Sequence, residues 1–182
     1  TIAQVVYGSP ESKALVGNTG GIQSILLAMK SHPKNTSLQA QCCFALRNLS
    51  WESPDNHALM HEHGADALLI SALENFSRVP GLQDQALAAL GNLMFHDEQT
   101  FRLTVESRDA QGLHNALFSA LKTFPFNMSI TSNALNLLIN TCELSKIDHM
   151  KHLRRIAVTP DVVKLICKSI QDPSSRSLDS VL

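Results

Sequence analysis

The chain of 182 residues predicts an all-α fold made of stacked helical units. Three observations lead there: an internal repeat of about 44 residues, apolar residues at helical spacing inside each copy, and no period-2 run of β-branched residues suited to a strand. A unit of that length cannot bury its apolar face alone, so successive copies must stack and share one core.

Residues 9–51 laid over 53–95, an offset of 44 without a gap, give 13 identities in 43 positions. They include Ser9-Pro10 over Ser53-Pro54, Ala14-Leu15 over Ala58-Leu59, and Gly20 over Gly64. The best block is L-Q-x-Q-x-x-x-A-L-x-N-L, at Leu38–Leu49 and again at Leu82–Leu93. An offset of 48 then carries Gly64 to Gly112, Leu69 to Leu117, Leu73 to Leu121 and Asn92 to Asn140. About 49 more carries Leu117 to Ile166 and Leu121 to Ile170. One array over 1–182 follows: 1–8 as the end of a preceding repeat, repeats at 9–52, 53–96 and 97–144, and a truncated repeat at 145–182. The changing offset puts insertions between helices, where loop length costs little.

Each unit predicts three helices. Ser9-Pro10-Glu11 and Ser53-Pro54-Asp55 supply an N-cap, a proline at the first helical position and an acid facing the helix dipole. This short helix stops at Gly20-Gly21 or Gly64, where the missing Cβ permits a corner or left-handed cap. The second helix carries Ile22, Ile25, Leu26 and Met29 at i, i+3, i+4, i+7, and in the next copy Leu68, Leu69, Ala72 and Leu73. A polar loop follows, His32-Pro33-Lys34-Asn35 or Ser77 to Gly81. The third helix, for example Leu38 to Leu49, is the longest, with alanines where neighbours must approach closely.

Composition excludes several functional classes. Charged residues make up 17%, below the roughly 25% of an average soluble domain. A net charge of -1 supplies no field to steer the chain toward nucleic acid or anionic membrane. No apolar run approaches the roughly 20 residues of a spanning helix. Cys42, Cys43, Cys142 and Cys167 form no C-x-x-C pair and sit among apolar residues, as small core residues in a reducing compartment do. The sequons at Asn35, Asn48, Asn75 and Asn127 follow no visible signal peptide and read as chance matches. The chain starts at Thr1 and ends within apolar periodicity at Leu182, which reads as part of a longer protein in the cytoplasm, with the nucleus as the alternative.

The order of short helix, glycine corner, amphipathic helix, polar loop and A-L-x-N-L helix resembles the armadillo repeat family. Gly20-Gly21-Ile22 resembles its "G-a-I" corner, and Ala45-Leu46-Arg47-Asn48-Leu49 and Ala89-Leu90-Gly91-Asn92-Leu93 resemble its third-helix signature. HEAT repeats, the nearest competitor, lack the short first helix and the corner. The resemblance implies a right-handed α-α superhelix whose third helices line a concave groove. There an asparagine holds the main chain of an extended partner, and the matching positions are Asn48, Asn92 and Asn140. A carboxamide suits that task because it donates and accepts at once. Seven residues earlier, on nearly the same helical face, stand Gln41, Gln85 and Asn133, all amides again. Four before the asparagines stand Phe44, Ala88 and Asn136, where importin-alpha-like receptors carry tryptophans; Trp51, the single tryptophan, lies outside that array. That departure argues against a nuclear-signal receptor. The expected groove set is Gln41, Phe44, Asn48, Gln85, Asn92, Asn133, Asn136 and Asn140.

Other candidates are weaker. His57 and His61 stand at i, i+4 beside Glu62 and His63, but the H-E-x-x-H pattern is absent, and solvated surface histidines are expected. His149, Lys151, His152, Arg154 and Arg155 form a small basic cluster, usually a solvated face. No Gly-rich phosphate loop, nucleophile motif or cofactor motif occurs. The expectation is a non-catalytic scaffold that needs no cofactor and binds a protein or peptide, without nucleic acid contact or membrane insertion. The alternatives are a regulatory region of a larger multidomain signalling enzyme and, third, a metal-sensing repeat using His57, His61 and His63.

Overall fold

The computed structural model describes residues 4, 6–95 and 110–144. Among these every regular element is a helix. The first repeat gives α1 (Pro10–Asn18), α2 (Gly21–Ser31) and α3 (Thr36–Ser50); the second gives α4 (Pro54–Glu62), α5 (Ala65–Asn75) and α6 (Pro80–Phe95). The third repeat supplies α7 (Ala110–Thr123) and α8 (Met128–Leu144) as its second and third helices. Its expected first helix, the truncated repeat at 145–182 and the basic cluster around Arg154 lie outside the described residues.

The helix boundaries follow local chemistry. Ser9 Oγ accepts from the Ser12 amide at 3.1 Å, so the first N-cap forms as its residues require. Ser53 occupies the same position before α4 but makes no side-chain cap bond, and Pro54 carries that start. Gly20 and Gly64 adopt φ of 81° and 75°, the left-handed conformation a β-carbon would strain. Gly21 answers a second demand, since a β-carbon there would stand 2.8 Å from the Val16 carbonyl oxygen. The second polar loop is shorter than expected: α6 starts at Pro80, so Pro80 and Gly81 belong to its first turn. Asn35 and Asn127, two of the apparent sequons, are N-caps whose Oδ1 atoms accept from the Leu38 and Ile130 amides at 3.1 and 3.2 Å.

Each helix packs on its counterpart one repeat later. Thus α1 meets α4, α2 meets α5, α3 meets α6, and then α5 meets α7 and α6 meets α8. The α3–α6 contact is the most extensive, and buried Ala45, Ala86, Ala89 and Ala134 let the third helices approach. Leu46, Leu90 and Leu138 fill the same position in successive copies and are all buried. On α2 the stripe Ile22, Ile25, Leu26 and Met29 is buried as its spacing predicts; on α5 the buried apolar set is Ala65, Leu69, Ile70, Ala72 and Leu73, with Leu68 half-buried.

A recurring side-chain hook joins second to third helix. Gln39 Nε2 donates to the carbonyls of Met29 (2.8 Å) and His32 (3.1 Å). Gln83 Nε2 repeats this with Leu73 (2.8 Å) and Phe76 (3.3 Å). Thr131 Oγ1 does so with Phe124 at 3.2 Å. The Met29 and Leu73 carbonyls end their helices without an intrahelical partner, those of His32, Phe76 and Phe124 also accept amides of the following turn, and both glutamines are buried. Replacing Gln39 or Gln83 by alanine should cost about 1–3 kcal/mol through the Met29 or Leu73 carbonyl left unpaired. Urea unfolding should show a lower midpoint at unchanged slope.

Candidate functional site

The third helices α3, α6 and α8 form a row, and one face of that row carries an open cavity of about 610 Å³. The end of α3 contributes Arg47, with Trp51 and Glu52 just beyond it. From α6 come Ala88, Gly91 and Asn92, and from α8 Asn133, Asn136 and Asn140 with Leu137 and Ile139. Of the eight groove residues expected from sequence, Asn92, Asn133, Asn136 and Asn140 therefore meet at one cavity. Gln41 is exposed outside its lining, Phe44 packs against the core, and Asn48 is buried at 7% exposure.

Several amides are already engaged inside the fold. Asn92 Nδ2 donates to the Arg47 carbonyl and to Ser50 Oγ, both at 3.1 Å, tying α6 to the end of α3. Gln85 Oε1 accepts from Arg47 Nη1 at 3.0 Å, again between α6 and α3. Asn133 Nδ2 donates to Asp84 Oδ1 at 3.3 Å, and Ser129 Oγ donates to the same carboxylate oxygen, joining α8 to α6. Both amide hydrogens of Asn92 are thus used, leaving Oδ1 as the atom it presents. Asn136 is exposed and belongs to no such tie, so its whole carboxamide stands open to the cavity.

Trp51 is the feature the periodicity did not reach. It caps α3 with extended backbone (φ -64°, ψ 116°), and its indole is 56% exposed where it lines the cavity. Glu52 follows with φ 51°, the only non-glycine residue in the left-handed region among those described. This tight exit turns the chain from α3 into α4 and brings Trp51 and Glu52 to the groove.

Beneath that exit, the last carbonyls of α3 are met by donors from other helices. Lys13 Nζ of α1 donates to the Trp51 carbonyl at 2.7 Å. Asn56 Nδ2 of α4 donates to Leu49 at 2.9 Å and to the Lys13 carbonyl at 3.2 Å, and His57 Nε2 to Ser50. Lys13, Asn56 and His57 are all buried. The expectation of solvated histidines is corrected for His57, which α3 needs as a donor. His61 and His63 are half-buried: His61 Nδ1 donates to Asp66 Oδ2 at 2.9 Å, and His63 Nε2 pairs with Gln23 Nε2 at 3.1 Å. The three rings serve three different partners, and no group of metal-ligating side chains occurs among the described residues.

Cys42 and Cys43 are free and buried, as expected of core thiols. Burial pushes Cys43 up to about 12, helped by its neighbour Cys42 and opposed by its backbone hydrogen bond; burial raises Cys42 as well. Neither presents a thiolate at neutral pH. Among the described residues no helix is long and apolar enough to cross a membrane. No protein-family model, curated protein or solved structure matches the chain.

Three outcomes follow from this geometry. Asn92→Ala removes both hydrogen bonds to the end of α3 and should lower stability by about 1–3 kcal/mol, measured by urea unfolding. The peptide bearing Cys42 and Cys43 should take up iodoacetamide at neutral pH only after unfolding, measured by mass spectrometry. Because the folded value of Cys43 lies above its ordinary 9.0, its contribution to stability is complete below pH 9.0 and is lost as pH rises toward about 12.

Proposed function

We propose that this chain is a stretch of armadillo-like superhelix that holds an extended segment of a partner protein in the groove over α3, α6 and α8. It acts by binding rather than by catalysis. The observation that carries this reading is the cavity of about 610 Å³ crossing three successive third helices, with carboxamides of two of them in its lining. An extended peptide presents N–H and C=O groups along its length, and amides at repeating intervals answer both. The stacking of each helix on its counterpart favours a superhelical array over a closed bundle.

The partner's chemistry is narrowed by charge. The lining holds one guanidinium, Arg47, and one carboxylate, Glu52. Opposite single charges give no basic stripe along which a phosphate backbone would track. A polypeptide is the better fit, and a cytoplasmic or nuclear protein the natural source.

The test is selection of a random-peptide display library on the immobilised chain, followed by titration of the enriched peptides. Asn136→Ala and Trp51→Ala, both at exposed side chains, should weaken binding by about tenfold or more while leaving the thermal midpoint unchanged. Peptides that bind equally well to both variants would remove the groove from consideration.

A further inference from the structure

The cavity has its depth because α6 carries the smallest residues of its row. At the position where α3 has Phe44 and α8 has Asn136, α6 has Ala88; where α3 has Arg47 and α8 has Ile139, α6 has Gly91. A β-carbon added at Gly91 would meet nothing within 4 Å, so the space beside it is open rather than filled by a neighbour. The second repeat therefore forms a notch. Its walls are raised by Arg47 and Trp51 on one side and by Asn136 and Ile139 on the other.

The walls state what fits. Leu137 adds apolar surface to the lining, and Trp51 and Ile139 are large apolar side chains more than half exposed at its edge. Such surface is left uncovered in a groove where a partner covers it. Arg47 is held by one edge to Gln85, and a guanidinium fixed by its edge offers its face to a ring. An indole likewise rewards a second ring in offset or edge-to-face contact. A lysine or arginine in the notch would be repelled by Arg47 as much as attracted by Glu52, and a carboxylate would meet the reverse balance. An uncharged ring meets no such conflict.

We propose that the notch over Ala88 and Gly91 is a specificity pocket for one aromatic side chain of the bound segment, seated against Trp51 and Arg47. This rests on the groove reading above and deepens it: the amides hold the partner's main chain, and the notch selects one of its side chains. The charged neighbours set no preference, so flanking positions tolerate variety while the anchor does not.

The test uses the peptides enriched from the display library, titrated against the wild-type chain and a Gly91→Leu variant. Leucine is a better helix former than glycine and its β-carbon has room, so the variant folds and its thermal midpoint checks that. The expected result is one aromatic position common to the selected peptides. Replacing it by alanine should weaken binding to the wild type by about tenfold or more, and Gly91→Leu should weaken the parent peptide similarly. The two changes together should add little beyond either, because both remove the same contact. Enriched peptides without an aromatic, with a basic anchor, or indifferent to Gly91→Leu would overturn the pocket. If those same peptides still weaken on Asn136→Ala, the groove reading stands without it; if they respond to neither, both fall.

Discussion

The arrangement turns on the end of α3. A helix leaves its last carbonyls without intrahelical partners, and here those of Leu49 and Ser50 lie buried where two repeats meet. Donors from α1, α4 and α6 converge on them: Lys13, Asn56, His57 and Asn92 reach the carbonyls of Trp51, Leu49, Ser50 and Arg47. Leaving any of these unpaired costs more than the bond contributes when made. The junction is therefore set by directional contacts, while the interdigitated leucines and alanines supply most of the cohesion. Lysine suits this place because its cation also faces the negative end of the α3 dipole.

That convergence explains why the groove is partly a by-product of assembly. Asn92 joins α6 to the end of α3, and Asn133 joins α8 to Asp84 of α6. Amides spaced along successive helices can serve as joints between them, and a joint is a poor place to vary specificity. The small row on α6 and the exposed indole beyond α3 carry no such duty.

Much of the fold was legible in the residues. Gly20 and Gly64 marked left-handed corners because few residues tolerate that backbone, and helical spacing marked the buried stripe of α2. The site was less so, for physical reasons. The glutamines of the repeated L-Q-x-Q block all recur, but which of each pair turns inward depends on helix rotation. Gln39 and Gln83 prove to be the buried hooks, and Gln41 the exposed one. Trp51 falls outside any helical period because the chain leaves α3 at that residue. His57 resembles a surface residue by type, and the Ser50 carbonyl above it helps to make burial favourable. Ser53 repeats Ser9 in sequence without repeating its bond: its backbone lies at φ -139°, ψ 80°, against -116° and 104° at Ser9.

The hook made by Gln39 has an engineering consequence. It grips Met29 near the end of α2 and His32 at the start of the polar turn, so α2 and α3 are fastened to each other on the near side of the turn's tip. Pro33 and Lys34 at its tip are exposed. An added segment there would lengthen a closed loop whose ends are already held, at a cost that grows only slowly with its length. A fluorophore-bearing tag or a second binding module grafted between Pro33 and Lys34 would ride on the array without prising it apart.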